Sequence, residues 1–372
     1  MCAAAISLAS AATPATPSPA NSYLVHNLVS DLPDTADFQD PNLVNPWGLA
    51  TTATSPFWIG NNATGTSTLY GTTGAPVALV VTIPTTAGPT GGAVSGTIAN
   101  TTTAFSIADG KPASFIFCTE DGTVSGWNGT VSPAGAATIS VDNTKANSVF
   151  KGCVIGGTAA APVLYVTDFR NGVVDMFDAN FKPIASTTAF LDPSIPTGFA
   201  PFGIANFGGK IYVTYAKQDA AKHDDVAGAS LGYVDVFDAS GNLVTQLISK
   251  GLLNSPWGMQ IAPATFGQFS GALLVANLAS ASPTSSGSAC ARRLRSAAPR
   301  ASPRVGAYAD AVGHQANGGG CSRRAVGDDE RRHGIAESPA ARCGQPGLGD
   351  VGRIGDPLAL ASAHVVNAEG AS

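Results

Sequence analysis

The chain is 372 residues long, with 12% of them charged and a formal net charge of −5. Residues 1–289 hold 17 acids against eight Lys and one Arg, so no nucleic acid is expected as a partner of this body. No apolar run approaches the ~18 residues of a membrane-spanning helix. A body whose only Glu is Glu120, rich in Gly, Thr, Val and Ala, suits strands and turns better than helices.

Residues 1–21 read as the apolar part and small-residue cleavage region of a secretory signal, followed by a Pro/Ser/Thr linker. No Lys or Arg precedes Lys111, so the basic start of a signal is missing and the leader is expected to be a truncated one, with mature protein beginning near residues 12–21. The reading places the protein outside the cytoplasm, in the periplasm, the cell envelope or the medium. Residues 22–31, SYLVHNLVSD, alternate as a strand does.

From residue 45 onward the chain repeats itself. NPWGLA (45–50), APFGIA (200–205) and SPWGMQ (255–260) share a Pro, a large aromatic, a Gly and an aliphatic residue, and start 155 and 55 residues apart. The larger spacing is close to three periods of ~52 residues. A second element recurs as GTVSGWN (122–128), GVVDMFD (172–178) and GYVDVFD (232–238), each preceded by a β-rich run such as SFIFCTED or VLYVTDFRN. Each unit reads as an inner strand, a buried strand, a hairpin, a third strand ending in an aromatic-Asp or aromatic-Asn pair, and a turn into a fourth. Four antiparallel strands per ~50 residues is the pattern of an all-β propeller. Units begin near 45, 100, 150, 200 and 255, and a sixth would begin near 307. The expected architecture over 22–278 is therefore a six-bladed type whose last blade is missing or disrupted, with 22–31 suited to closing the ring.

The stretches YLVHNLVSD, NPWGLA, YVTYAKQDAAKHDDVAGASLGYVDVFDASGNLV (212–244) and LLNSPWGMQIAPATFGQFSGALLVANL (252–278) resemble a bacterial family of exported proteins without an assigned activity. The resemblance covers roughly 22–278 and implies a six-bladed propeller related to the NHL and SMP-30 groups. It ends after Leu278, where the family continues into a further hairpin and a last blade.

Aligning the second strands places Asn61, Thr119 or Glu120, Asp168, Tyr215 and Asn277 at equivalent strand ends, expected at one mouth of the channel. Oxygens of Glu120, Asp168 and Asn277 resemble the single-metal site of SMP-30-type lactonases, so a bound cation, if there is one, is expected to be Ca2+ or another divalent ion. The alternative is that these residues satisfy turn amides at strand ends. The longest connection within a blade, 217–230, carries Lys217, His223, Asp224 and Asp225, which either bind at the same face or form a solvated loop. Trp47, Phe202 and Trp257, at matched repeat positions, are expected to pack between blades. Cys118 and Cys153 sit in apolar strands and are expected as buried thiols rather than as a bridge.

Residues 279–372 are of a different character. From 290 on there are eleven Arg, no Lys and one aromatic, Tyr308, and Ala, Arg, Gly and Pro fill 46 of 83 positions. One reading is a GC-rich gene translated out of frame from near residue 279. The other is a natural, disordered basic tail that binds nucleic acid or an anionic surface.

Two function classes follow. One is an exported, non-catalytic propeller that binds a small ligand, glycan or protein at its loop-bearing face. The other is a metal-dependent hydrolase of the lactonase or esterase type. The body holds no P-loop, dinucleotide fingerprint or nucleophile elbow.

Overall fold

The computed structural model describes residues 26–131, 133–278, 288–293 and 308–310. The leader and most of the Arg-rich tail, with the readings attached to them, lie outside the described residues. Among the described residues there is no α-helix, and no helix is long and apolar enough to cross a membrane.

Among the described residues, five antiparallel sheets follow one another in chain order. Blade one comprises Pro46–Ala50, Phe57–Asn61, Thr66–Tyr70 and Pro76–Thr82. Blade two comprises Val94–Ala99, Phe115–Thr119, Thr123–Trp127 and Thr138–Asp142. Blade three has three strands, Phe150–Gly157, Pro162–Asp168 and Val173–Phe177, with Pro183 bridging to Phe177 where a fourth would begin. Blade four comprises Phe199–Phe207, Lys210–Lys217, Tyr233–Phe237 and Leu243–Ser249, and blade five starts with Pro256–Ile261 and Ala272–Asn277. The first strand of every blade lines a shared central cavity of about 580 Å3, which identifies these strands as the inner ones and the fold as propeller-like.

The expectation ended the propeller at 278. The structure carries blade five further, with Ser288–Arg293 paired to Ala272–Asn277 and Tyr308–Asp310 paired to Ser288–Arg293. The exposed edge of a buried strand recruits backbone partners whatever their side chains, so a composition-based boundary does not coincide with the end of the sheet.

The N-terminal segment also differs from its expected role. Val29–Ser30 pairs in parallel with Phe38–Gln39, and Val29 and Leu43 pack onto Ile59 and Tyr70 of blade one. The Tyr70 hydroxyl donates to Asp40 at 2.7 Å. This segment therefore caps blade one and makes no described pairing with blade five.

Apolar faces meet between successive blades. Trp58 stacks on Phe115 at 4.1 Å between blades one and two. Ile116, Phe150 and Val166 fill the space between two and three, Tyr165, Val213 and Phe237 that between three and four, and Val234, Leu273 and Val275 that between four and five. Close approach of the inner strands depends on the glycine of the repeated motif. A side chain at Gly203 would collide with the carbonyl oxygen of Trp257 on the next blade.

Candidate functional site at the mouth of the cavity

Three of the repeat aromatics converge at one end of the cavity. Trp47 lies 5.1 Å from Trp257 and 6.1 Å from Phe202, and Phe202 lies 5.0 Å from Trp257 and 5.2 Å from Phe169. Sequence reasoning gave these residues to packing between neighbouring blades. They do pack, but Trp47 and Trp257 come from blades one and five, so the cluster gathers residues from distant parts of the chain into one apolar floor.

Lys151, on the inner strand of blade three, has a side chain with no exposed surface, and its ammonium sits over that floor. It lies 5.0 Å from the Trp47 ring centre, 5.7 Å from Phe169 and 5.9 Å from Phe202. A buried ammonium is costly unless paired, and Glu120, just past the end of the second strand of blade two, supplies the carboxylate to which the ammonium donates. The other Glu120 oxygen accepts from Asn62 at 2.9 Å. Asn62 in turn accepts from Asn45 at 3.1 Å, and Asn45 accepts from the Trp47 indole at 3.0 Å. The chain of contacts therefore closes on itself, from Trp47 through Asn45, Asn62, Glu120 and Lys151 back to the Trp47 ring.

The 217–230 connection folds over this group. Gln218 donates to the Phe169 and Arg170 carbonyls, and Asp219 accepts from the backbone of His223 and Asp224. Asp224 is thereby held 3.7 Å from the Lys151 ammonium and 3.0 Å from His223. Asp224 is 63% exposed and His223 38%, whereas Glu120 is only 10% exposed. Ligand atoms of Glu120, His223 and Asp224 all lie within 4.8 Å of one another. Asp225 points inward, where burial raises its carboxyl pKa above the usual range against the lowering effect of Ser255 and Lys151.

Of the residues singled out from sequence, Glu120, His223, Asp224 and Asp225 belong to this group. The others are held elsewhere. Asp168 accepts from the Val149 and Asn171 backbone and from the Asn171 side chain at 2.7 Å, and Asn277 closes the 252–254 turn through the Asn254 amide and the Leu252 carbonyl. Asn61 donates to Thr66 and Thr68 within its own hairpin, as the Thr119 hydroxyl meets Thr123 in its hairpin. These strand-end residues serve their own turns, the alternative left open above. Tyr215 lies in the core between blades three and four, and Lys217 is exposed at the end of its strand. The set Glu120, Asp168 and Asn277 is thus not drawn together by any described hydrogen bond. Sequence reasoning missed Lys151 and Asn62. The signal for Lys151 was a lone cation in an otherwise apolar inner strand, FKGCVIGG.

No family model matches the chain. Uncharacterised protein R648 of Acanthamoeba polyphaga mimivirus is 32% identical over 268 residues, covering 68% of this chain and 64% of that protein, so the chain spans somewhat under two thirds of this relative. Uncharacterised protein L690 of the same virus is 32% identical over 271 residues, covering 68% of this chain and 69% of that protein. Among solved structures, virginiamycin B lyase from Staphylococcus aureus aligns at TM-score 0.42 with 11% identity, covering 67% of each chain. The PQQ-bound aldose sugar dehydrogenase of Streptomyces coelicolor aligns at TM-score 0.38 with 14% identity, covering 70% of this chain and 81% of that one.

Proposed function

Starting from the family of the mimivirus protein L690, to which this chain belongs, we propose that the protein is an exported propeller that binds a ligand non-catalytically at the mouth of its cavity. The leader composition and the likeness to the bacterial exported family support export. One observation carries the binding reading: the fully buried Lys151 ammonium, neutralised by Glu120 and seated on Trp47, Phe169 and Phe202. A buried pair of this kind fixes geometry more than it adds stability. It holds a rigid aromatic floor, of which Phe169 and Phe202 are fully buried and Trp47 and Trp257 are part-exposed along the cavity. The partly exposed Asp224 and His223 remain available as polar contacts beside them. That combination suits a ligand with an apolar face and hydroxyl or ammonium donors, as in a sugar or an amine, free or carried on a glycan or protein.

The test is calorimetry of the full chain against a panel of monosaccharides, oligosaccharides and primary amines. Saturable binding to one panel member, reduced at least ~10-fold in Asp224→Ala at unchanged melting temperature, is the expected result. No binding across the panel, or binding that Asp224→Ala leaves intact, contradicts the reading.

The hydrolase reading is favoured by the closeness of Glu120, His223 and Asp224. Against it, Lys151 takes one Glu120 oxygen and Asn62 the other. The three residues fit a divalent cation only if Lys151 withdraws. Stoichiometric uptake of Mn2+ or Ca2+, lost in Glu120→Gln, would favour this second reading.

A further inference from the structure

Cys118 and Cys153 are separated by 34 residues of sequence and lie on different blades. Gly96 and Cys118 are direct partners across the first two strands of blade two, and partners of this kind present their side chains on the same face ~5 Å apart. A Cβ built on Gly96 would lie 2.7 Å from the sulfur of Cys153. The Cys153 sulfur therefore occupies the place that the missing Gly96 side chain leaves, beside Cys118; in the structure both are free thiols, as expected from the sequence, buried in one apolar cluster. From this geometry we propose that the two free thiols form a redox pair, which on oxidation closes into a Cys118–Cys153 disulfide stapling blade two to blade three.

The position of the staple gives it a purpose. Glu120 follows Cys118 by two residues and Lys151 precedes Cys153 by two, so the sulfur pair and the Glu120–Lys151 ion pair bridge the same two strands. A covalent link there fixes the spacing across which the carboxylate reaches the ammonium. In bond formation both S–H bonds break and one S–S bond forms. Two electrons pass to a small-molecule or protein disulfide, whose sulfurs become thiols on taking up the two protons. Burial pushes the Cys118 thiol well above its usual pKa, so the thiolate needed for exchange is scarce once the blades have closed. The link accordingly forms while blades two and three assemble. The sulfur pair would close in the same way whichever ligand the mouth binds.

The test uses the full chain folded in a mixture of reduced and oxidised glutathione, then denatured in N-ethylmaleimide and mapped by mass spectrometry. The expected result is a linked Cys118–Cys153 peptide without adducts, about 2 mass units lighter than the same peptides after dithiothreitol. A second preparation, C2S/C290S/C321S/C343S, keeps only these two cysteines and removes scrambling. Its melting temperature should fall on reduction, and that dependence should vanish when C118A and C153A are added. Quantitative alkylation of both thiols in protein folded under oxidised glutathione overturns the proposal, as does a melting temperature indifferent to reductant in the two-cysteine chain.

Discussion

At the scale of the residue, Lys151 and Asp235 show two ways in which a buried charge is managed. Lys151 is paired with Glu120, so removing that carboxylate leaves the buried ammonium with only the exposed Asp224 carboxylate, 3.7 Å away. Glu120→Ala is expected to destabilise the fold by ~3 kcal/mol or more in chemical denaturation, whereas the double variant with Lys151→Met recovers much of that loss, because breaking a buried pair costs more than replacing it. Asp235 has no such partner. It is fully buried beside Asp192, Tyr215 and Gln246, with neither oxygen in a well-formed hydrogen bond. Burial first, and the Asp192 charge second, push its carboxyl up to about 7. Asp175, at the matching position of blade three, accepts from Asn143 at 3.2 Å and rises only to about 6. The raised value means that folded protein keeps a proton which the unfolded chain releases near pH ~4. Stability contributed by protonated Asp235 is therefore present at low pH, falls as pH rises from ~4 to about 7, and levels off above. The slope is at most ~1.4 kcal/mol per pH unit. Asp235→Asn should flatten the denaturation free energy most as pH rises from about 6 to about 7, where Asp175, at about 6, contributes progressively less; an unchanged slope in the variant contradicts the assignment.

At the scale of the element, the Pro-aromatic-Gly motif opens the inner strand in blades one, four and five, and the demands on its glycine differ by blade. Gly203 faces the Trp257 carbonyl, while at Gly258 no described atom lies within 4 Å of a built Cβ. Gly203→Ala should lower the melting temperature by several degrees, as ~1–3 kcal/mol of overpacking does. Gly258→Ala should leave it nearly unchanged, and equal effects of the two would contradict the close approach of blades four and five. The periodicity of NPWGLA, APFGIA and SPWGMQ made the blade starts legible, because strand pairing in a repeat is local and side-chain pattern reports it directly. The GYVDVFD strand and DASGN turn were legible for the same reason, and Asp238 caps that turn by accepting from Ser240 and Asn242. The outer strands of blade five were not, since backbone pairing along an edge leaves little trace in side-chain identity. Residues 22–31 misled because alternation marks a strand-like segment but not the sheet that it joins, and here Val29 packs onto blade one.

At the scale of the whole molecule, five inner strands surround one cavity and bring to its mouth side chains that no local pattern connects. Glu120 and the His223-Asp224-Asp225 run could be picked out as residues with chemistry to offer, but their meeting with Lys151 is a product of the ring. Equivalent strand ends were expected to share one site by rotation. Instead Asn61, Asp168 and Asn277 serve their own turns, and the site is built from non-equivalent positions: Asn62 beyond the strand end, Lys151 on an inner strand, and the long loop of blade four. The central proposal is that this asymmetric group is a ligand site. The most direct measurement is the set of four tryptophan indole N–H resonances during titration with the saccharide and amine panel. Trp47 and Trp257 belong to the floor, whereas Trp58 and Trp127 lie between blades one and two and serve as internal references. A bound panel member is expected to shift the Trp47 and Trp257 signals saturably, to leave Trp58 and Trp127 in place, and to lose the effect in Asp224→Ala; shifts confined to Trp58 and Trp127, or no shift for any panel member, would contradict a ligand site there.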